Sequence, residues 1–578
     1  MSSVDRVKWF PLGTMSLLLS ACGGSGGGVE STPTPTPTPV NFDVTDLKVS
    51  QTFTVPSGKN GFALETTKGS VETTTVGKGE VAIAYNASSG TYTLTRNGMS
   101  KAFAPSDLAG GSPPGERRFS KSDASGSDHL TLVDTSYASN LKTRSVGLGY
   151  WQSITGGGGR QNTAFDIFVY GFPTASAAVP RTGSAQYTTD VFGLTTQVGS
   201  DPLTFAGSGK TMFDFDRGKF TIDTNLEEYY FVTGAERYGA LYFRASGNLT
   251  SGDGNFSGSF IYDGSLDSVA GSLNGRFYGP NAEEAGGTFN GDNGAGGTVV
   301  GAFTAGNRTA VSDNMTLSNL QRDQLFYTGQ SRYFAQQFKD GSDRGYASAD
   351  LQNGQLHYEA GSGYRIAGYS AEEGKFVEAN RIDTAADRFA IYRKTVDGED
   401  IQLSLYKTSG GALNLTYASF GEYYRVPDTS EINGIYRTFF MYGIDTPEGV
   451  LTARPGSATY SGIAYGAAGA PGGQEQLKLS GTSQFQIDFP SQGYSGWLKL
   501  QGTSDRNGSA IDFGRFDLVG GKGFPRNAFT AGLAGNPGDH GDIQLRFYCP
   551  TGEEMAGVFA IRTANGFVLG GATAAVRQ

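Results

Sequence analysis

Cysteine and histidine are scarce in this chain, and their scarcity narrows the possible functions. The 578 residues include two Cys and three His. So few nitrogen and sulfur ligands disfavour a His-rich metal or haem site, and each His is more simply a surface or loop residue. The sequence therefore predicts no metal site and no cofactor.

Charged residues and long apolar runs are also in short supply. Charged residues make up 17% of the chain, against roughly 25% in an average globular protein. The net charge of −10 disfavours nucleic acid as a partner and gives no reason to expect a polybasic membrane patch. After the N-terminal signal, no segment stays apolar for the roughly 18 residues of a membrane-spanning helix. We expect membrane contact only through the N-terminus.

Glycine and aromatic residues are abundant instead. The chain has 87 Gly, 38 Phe and 29 Tyr, a composition typical of short strands joined by tight turns. It is too long for a single hydrophobic core, so two to four domains are expected. These features predict a mainly β protein with several domains.

The N-terminus has the layout of an export signal. A short apolar run preceded by Arg6 and Lys8 ends in "LSAC" at residues 19–22, with small residues at the cleavage position. This resembles a bacterial lipoprotein signal, which predicts removal of residues 1–21 and lipidation of Cys22. An ordinary signal peptide with an incidental Cys is the alternative. If Cys22 carries lipid, Cys549 has no partner for an internal disulfide.

Residues 22–41 are predicted to form a tether. "GGSGGGVE" is typical of flexible coil, and "STPTPTPTPV" favours an extended section of about 25 Å. The G-x-S-x-G match at residues 23–27 lies inside this tether, so it is no nucleophile elbow. Because no other catalytic constellation stands out, we expect a protein that is not an enzyme.

The rest of the chain is an internal duplication. "RFYGPNAEEAGGTF" at 276–289 and "RFYCPTGEEMAGVF" at 546–559 are identical at eight of 14 positions. "VYGFPTASAAVPRTGSAQY" from Val169 parallels "MYGIDTPEGVLTARPGSATY" from Met441 in nearly the same register. Two homologous lobes, roughly 42–308 and 309–578, are therefore predicted.

The second half of each lobe alternates with period two, and Gly alternates with large apolar residues. This pattern suits the tapering interior of a small barrel. An up-and-down antiparallel barrel with a filled interior is predicted from eight strands in the first lobe, at 184–191, 210–216, 219–224, 239–248, 255–262, 269–278, 286–290 and 297–304.

The repeated phrase is interpreted as architecture. Pro280 is predicted to open a short helical turn, with Glu283 and Glu284 near its positive end and Gly286 and Gly287 ending it at positive φ. An acid/base pair or a metal site is the functional alternative, but no His or third carboxylate accompanies the glutamates. The predicted structural residues are Phe277, Tyr278, Pro280, Glu283, Glu284, Gly287, Phe547, Tyr548, Pro550, Glu553, Glu554 and Gly557.

The lipoprotein-like Cys22, the tether and the twice-written F-Y-x-P-x-x-E-E-x-x-G-x-F phrase resemble transferrin-binding protein B and its relatives, a family of bacterial surface lipoproteins. The resemblance implies that each lobe is a β-rich handle followed by an eight-stranded antiparallel barrel. It places handle 1 at 42–180, barrel 1 at 181–308, handle 2 at 309–453 and barrel 2 at 454–578. Cys549 departs from the first copy of the phrase, which has Gly at that position.

The same resemblance implies a function. It predicts a palmitate-bearing lipoprotein at the outer-membrane surface that binds an iron-bearing or other host or environmental protein and delivers it to a TonB-dependent transporter. The alternative is binding of a small solute or haem in a barrel or an inter-lobe cavity. Filled barrels would favour the first of these functions. The sequence does not indicate which residues bind the ligand.

Overall fold

The structure, a computed structural model, describes residues 40–113, 115–250, 252–338, 346–426, 432–447, 450–471, 476–504, 506–548 and 550–578. The predicted signal at 1–21, the lipidation site Cys22, nearly all of the tether and Cys549 lie outside the described residues. Residues 41–578 form one unit.

The first eight strands form one antiparallel sheet, the handle 1 sheet, in the order β4-β3-β2-β1-β8-β7-β6-β5. Each end of the order is a run of hairpins, and the long strands β1 and β8 pair at the centre. The strands are β1 (Gln51–Glu65), β2 (Ser70–Asn86), β3 (Thr91–Arg96), β4 (Met99–Phe103), β5 (Glu116–Asp123), β6 (Gly126–Val133), β7 (Val146–Gly157) and β8 (Arg160–Gly171).

The next eight strands close into barrel 1, with neighbours in sequence paired and the first strand paired to the last. All eight predicted strands are present, and each is longer than predicted. They are β9 (Ser184–Gln197), β10 (Leu203–Asp214), β11 (Lys219–Tyr230), β12 (Glu236–Leu249), β13 (Asn255–Asp263), β14 (Ser268–Tyr278), β15 (Glu284–Asp292) and β16 (Gly297–Thr309).

The handle 2 sheet has the order β20-β19-β18-β17-β24-β23-β22-β21, which is the handle 1 order advanced by sixteen strands. A short helix, α1 (Ala371–Gly374), precedes β20. The strands are β17 (Gln324–Phe338), β18 (Tyr346–Glu359), β19 (Gly363–Ile366), β20 (Lys375–Val377), β21 (Phe389–Val396), β22 (Glu399–Tyr406), β23 (Ala418–Val426) and β24 (Ile432–Gly443).

Barrel 2 follows, and the pairing of β26 with β27 closes it. Its strands are β25 (Ser457–Gly469), β26 (Gln476–Asp488), β27 (Gly493–Ser504), β28 (Ala510–Val519), the two-residue β29 (Gly521–Lys522), β30 (Ala528–Ala534), β31 (His540–Tyr548), β32 (Glu554–Arg562) and β33 (Val568–Arg577). The prediction of a mainly β chain with two tandem lobes, each a β-rich handle and an up-and-down barrel, is confirmed.

Both barrels are filled with side chains. In barrel 1 the interior is aromatic: the rings of Phe243 and Phe289 are 4.4 Å apart, and those of Phe213 and Phe277 are 4.6 Å apart. Barrel 2 has a more aliphatic interior that includes Leu500 and Ile543, both fully buried. The predicted filled interior is confirmed, and dense packing of this kind leaves little room for a guest.

Glycine makes room for these rings, as the alternation in the sequence predicts. A Cβ added to Gly301 would lie 2.2 Å from the ring of Phe289, and one added to Gly275 would lie 2.5 Å from the ring of Phe256. A side chain at either position would therefore displace an interior aromatic residue.

The lobes contact each other through barrel 1. Tyr242 and Ile261 on the outside of barrel 1 pack against Val450 and Ala453, just before barrel 2. The hydroxyl of Thr316 donates to Asp214 at 3.1 Å between the lobes. The two lobes therefore share buried contacts of both apolar and polar kinds.

Candidate functional site

The repeated phrase lies where each barrel meets its handle. Phe277 and Phe547 point into their barrels, where they belong to the buried cores. Tyr278 and Tyr548, the next residues, lie in the apolar layers between barrel and handle. The period of two thus divides the phrase between the barrel core and the handle contact.

The prediction of a helical turn after Tyr278 is wrong. Residues 279–282 form a turn between β14 and β15, with positive φ at Gly279 (86°) and Ala282 (58°), and Pro280 lies exposed within it. Gly286 and Gly287 are strand residues of β15. A Cβ on Gly287 would lie 2.3 Å from the carbonyl oxygen of Asn274, so this glycine permits close strand packing and ends no helix.

A tyrosine from the first barrel strand holds this turn in both lobes. The Tyr187 hydroxyl donates to the carbonyl oxygen of Ala282 at 2.6 Å, and the Tyr460 hydroxyl donates to that of Gly552 at 2.5 Å. Both tyrosines are fully buried, and burial raises the pKa of Tyr187 to about 12. These are the final residues of "GSAQY" and "GSATY", so the two duplicated phrases meet in space.

The second glutamate of the phrase joins barrel to handle. The Glu284 carboxylate accepts the backbone N–H groups of Arg144, Ser145 and Val146 at 2.8–3.0 Å. In lobe 2, Glu554 does the same with the three consecutive N–H groups of residues 416–418, at 2.7–2.8 Å. The hydrogen-bond partners of both Glu284 and Glu554 are backbone groups of the same chain, which supports the prediction that these glutamates are structural.

Burial shifts the titration of both carboxyls upward. Desolvation raises the pKa of Glu284, although its three N–H donors oppose the shift. In lobe 2 desolvation raises the pKa of Glu554 to about 7, and the negative charge of Glu553 adds to the effect. Glu554 is therefore partly protonated near neutral pH.

The first glutamate of the phrase differs between the lobes. Glu283 accepts the backbone N–H and the side-chain amide of Asn281, both at 2.8 Å, within its own turn. Glu553 likewise accepts the backbone N–H and the hydroxyl of Thr551 within its own turn, and it also accepts the hydroxyl of Ser246 in barrel 1 at 2.9 Å. Burial raises the pKa of Glu553. The same sequence position therefore holds a local turn in both lobes and adds an inter-lobe contact in lobe 2.

An exposed group of rings on the handle 2 sheet is the strongest candidate for protein recognition. Phe334 lies 5.4 Å from Tyr346 and 4.4 Å from Tyr436 between ring centroids, and the two tyrosines are 49% and 45% exposed. We call these three residues the aromatic trio. The exposed ion pair Arg332–Asp350, at 2.8 Å, lies two residues from Phe334 along β17 and on the same face of the sheet.

The corresponding surface of handle 1 has no such rings. The equal strand orders align Phe334 with Gly61 and Tyr436 with Ala164, because each pair holds the same position between its central strands. Exposed aromatic side chains beside a polar rim are typical of protein-binding surfaces. The lobes have thus diverged at this surface.

Grooves on the outside of the lobes are the other candidates. Lobe 1 has one of about 570 Å³ near Glu116 and Tyr150 and another of about 590 Å³ near Arg276. A third, of about 670 Å³, lies on handle 2 near Tyr327 and Gln352. All three lie outside the barrel interiors, whereas the alternative function places its solute in a barrel or between the lobes.

Neither the arginines and tyrosines of the repeats nor the aromatic trio were predicted as site residues from the sequence. Arg276 and Arg546 were visible as the first letter of the repeated phrase but received no role. Tyr187 and Tyr460 were visible in the other repeat. The aromatic trio could not be predicted, because Tyr436 lies on β24 and Phe334 and Tyr346 lie on β17 and β18, which are distant from β24 in sequence.

The ranges that the structure describes contain neither a cluster of metal ligands nor a membrane-spanning helix. Within those ranges there is no group of three or more His, Cys, Asp or Glu side chains that could hold a metal ion. No helix found there has the length and apolar character needed to cross a membrane.

No protein-family model and no curated protein sequence matches this chain. Solved structures do. Transferrin-binding protein B from Haemophilus parasuis, a Tyr-167-Ala and Trp-176-Ala double mutant in that protein's own numbering, is 15% identical, with 95% of this chain and 99% of that chain covered and a TM-score of 0.28. The isotype 1 protein from Neisseria meningitidis is 14% identical over 79% and 86% of the two chains, with a TM-score of 0.26.

A structure described as a surface lipoprotein is also similar, at 14% identity, over 44% of this chain and 98% of its own, with a TM-score of 0.22. The family noticed in the repeated phrase is thus found again among solved structures.

Proposed function

We propose that this protein is a non-enzymatic receptor lipoprotein, attached through Cys22 to the outer membrane. It binds an iron-bearing or other host or environmental protein and delivers it to a TonB-dependent transporter. The export signal, the tether and the resemblance of the repeated phrase to transferrin-binding protein B support the anchoring and the delivery role.

The observation that carries the proposal is the filled interior of both barrels. Barrel 1 is packed with interlocking rings, and barrel 2 with buried aliphatic and aromatic side chains. A solute that entered either interior would have to displace them. Recognition therefore falls to outer surfaces and loops, which suits a macromolecular ligand.

We assign recognition to the aromatic trio on handle 2. Its two exposed tyrosines present large rigid surfaces at low cost in side-chain entropy, and such residues dominate binding energies in protein interfaces. The neighbouring Arg332–Asp350 pair supplies a polar rim. The aligned positions of handle 1 hold the small residues Gly61 and Ala164, which supports the assignment of recognition to lobe 2.

Delivery and regulation are tested in the bacterium that encodes the chain. Iron limitation should raise the amount of the protein, and its deletion should slow growth on the captured protein as sole iron source. A chromosomal copy with Tyr346→Ala and Tyr436→Ala should behave as the deletion. Expression indifferent to iron, with unchanged growth of the deletion strain, would contradict the proposed role in iron acquisition.

A further inference from the structure

Arg276, the first residue of the repeated phrase, lines an outer groove of lobe 1. The groove has a volume of about 590 Å³ and lies between handle residues that include Lys78 and barrel residues that include Asn255 and Asn274. On β14, Arg276 stands between Asn255 of β13 and Gly286 of β15. Gly286 places no side chain beside the arginine, and Val146 and Val169 of the handle pack against this glycine.

Lobe 2 neutralises the equivalent arginine with a carboxylate. The Arg546 Nη1 atom lies 3.2 Å from Asp445. Asp445 pairs with Tyr548 in an isolated bridge, and the lobe 1 residue in the same bridge to Tyr278 is Pro173. The duplication has therefore kept the arginine in both lobes but has a carboxylate beside it in lobe 2 and a proline in lobe 1.

Lobe 2 also spans the equivalent groove with a side-chain contact. The amide of Gln544, two residues before Arg546, donates to Asn353 of handle 2 at 3.1 Å. The lobe 1 counterpart is Asn274, whose side chain is one methylene shorter. The Nε atoms of both arginines are buried without a hydrogen-bond partner among the described residues, but lobe 1 provides the open groove.

The charges of the lobe 1 groove favour a monoanion. Arg276 and Lys78 are its cations, and Asp253 lines it as well. The carboxylate of Asp253 accepts the backbone N–H and side-chain amide of Asn255. The backbone bond from Asn255 is the main cause that lowers the pKa of Asp253, and the charge of Arg276 contributes. Two cations and one carboxylate leave a net charge of about +1, which suits a carboxylate better than a phosphate dianion.

The remaining lining groups suit hydroxyl groups. Asn255 and Asn274 offer both donors and acceptors, Thr288 and Ser257 offer hydroxyls, and Asp253 can accept from a ligand hydroxyl. The volume lies in the usual range of small-molecule sites. A guanidinium fork binds a carboxylate through two parallel hydrogen bonds.

We propose that the lobe 1 groove binds an acidic sugar, with Arg276 paired to its carboxylate and the Asn, Ser, Thr and Asp side chains bonded to its hydroxyls. The site is separate from the aromatic trio, and the proposal does not rest on protein capture or on iron.

The test is calorimetric titration of the full-length mature chain with glucuronate, galacturonate and N-acetylneuraminate, and with glucose and inorganic phosphate as comparisons. At least one acidic sugar should bind at least tenfold more tightly than glucose and than phosphate. Binding by none of the three acidic sugars, or tighter binding of phosphate, would overturn the proposal.

Two variants locate the site. Arg276→Gln should weaken binding of the acidic sugar at least tenfold, and Pro173→Asp, which installs the lobe 2 carboxylate, should do the same while keeping the arginine. Arg546→Gln is the matched control and should leave binding unchanged. Wild-type affinity in a folded Pro173→Asp protein, or an equal loss in Arg546→Gln, would show that the groove is not the site. Melting temperatures and circular dichroism establish that each variant is folded.

Discussion

The Tyr187 hydroxyl donates to the Ala282 carbonyl oxygen at 2.6 Å and so ties the first strand of barrel 1 to the turn before β15. Tyr460 makes the same bond to Gly552 in barrel 2. A single buried hydroxyl thus connects the two phrases that the duplication has preserved. The repetition in the sequence reflects a repeated closure of barrel on handle.

Removal of this hydroxyl should destabilise the lobe. Tyr187→Phe leaves a buried carbonyl without its donor, which should lower the free energy of unfolding by about 1–2 kcal/mol. Denaturant unfolding measures the change. Tyr229→Phe is the control, because its hydroxyl bonds to Glu227 at an exposed site, and it should change stability by less than about 0.5 kcal/mol. Equal effects of the two variants would contradict the structural role of Tyr187.

The two glutamates of lobe 1 should differ in importance. Glu284→Ala removes the acceptor of three backbone N–H groups and should cost roughly 3 kcal/mol. Glu283→Ala loses bonds within one exposed turn and should cost less than about 1 kcal/mol. A helix dipole plays no part, since the turn is not helical. Thermal unfolding of both variants provides the comparison, and a larger loss for Glu283→Ala would reverse our assignment.

Stability should fall as pH rises from about 5 to 8. The pKa of Glu554 is about 7 in the folded chain, against 4.5 for the ordinary carboxyl. The folded state therefore binds a proton at Glu554 more tightly than the unfolded state does. The stabilisation of the folded state by this proton is complete below pH 4.5 and is lost as pH rises through 7. This shift in the pKa of Glu554 corresponds to about 3 kcal/mol in the free energy of unfolding.

The Glu554→Gln side chain cannot titrate, so this variant should lose less unfolding free energy between pH 5 and pH 8 than the wild-type chain does. Unfolding free energies measured at both pH values give the difference. Glu283→Gln serves as the control, because the pKa of Glu283 is lowered by its bonds to Asn281, although burial opposes that shift. A Glu554→Gln protein with the full wild-type pH dependence would show that Glu554 does not titrate in this range.

Cys22→Ala should release the protein from the membrane. The residue is the predicted lipidation site, and no second anchor is predicted. Immunoblots of membrane and soluble fractions measure the effect, and Cys549→Ala should remain in the membrane fraction. Unchanged membrane association of the Cys22→Ala protein would contradict the prediction of a lipid anchor.

The barrels could be predicted from the sequence because local alternation decides which face of a strand is buried. Val269, Leu273 and Phe277 all reach the interior as their spacing predicts. The turn at Pro280 was misread, because proline, two glutamates and two glycines also fit a helix. Nothing local shows that Ala282 takes positive φ, a conformation that the buried bond from Tyr187 helps to hold.

The partners of Glu284 could not be predicted either. Its three N–H donors lie about 140 residues earlier in the chain. Because nearly every residue has a backbone N–H group, the sequence does not reveal which of these groups bind a carboxylate. The difference between the surroundings of Arg276 and Arg546 could not be predicted either. The repeats that begin at Val169 and Met441 align Pro173 with Asp445, but only the structure shows that Asp445 lies beside Arg546.

The most direct test of the receptor function is a pull-down with the immobilised mature chain, from host serum and from the medium of an iron-starved culture. The account predicts that a protein is retained by the wild-type chain and lost when Tyr346→Ala and Tyr436→Ala are combined. Phe42→Ala is the control: Phe42 is 66% exposed at the start of lobe 1 and does not line any of the three grooves described above, so this variant should retain the protein. Retention of no protein from either source, or equal retention by the double variant and the control, would contradict the account.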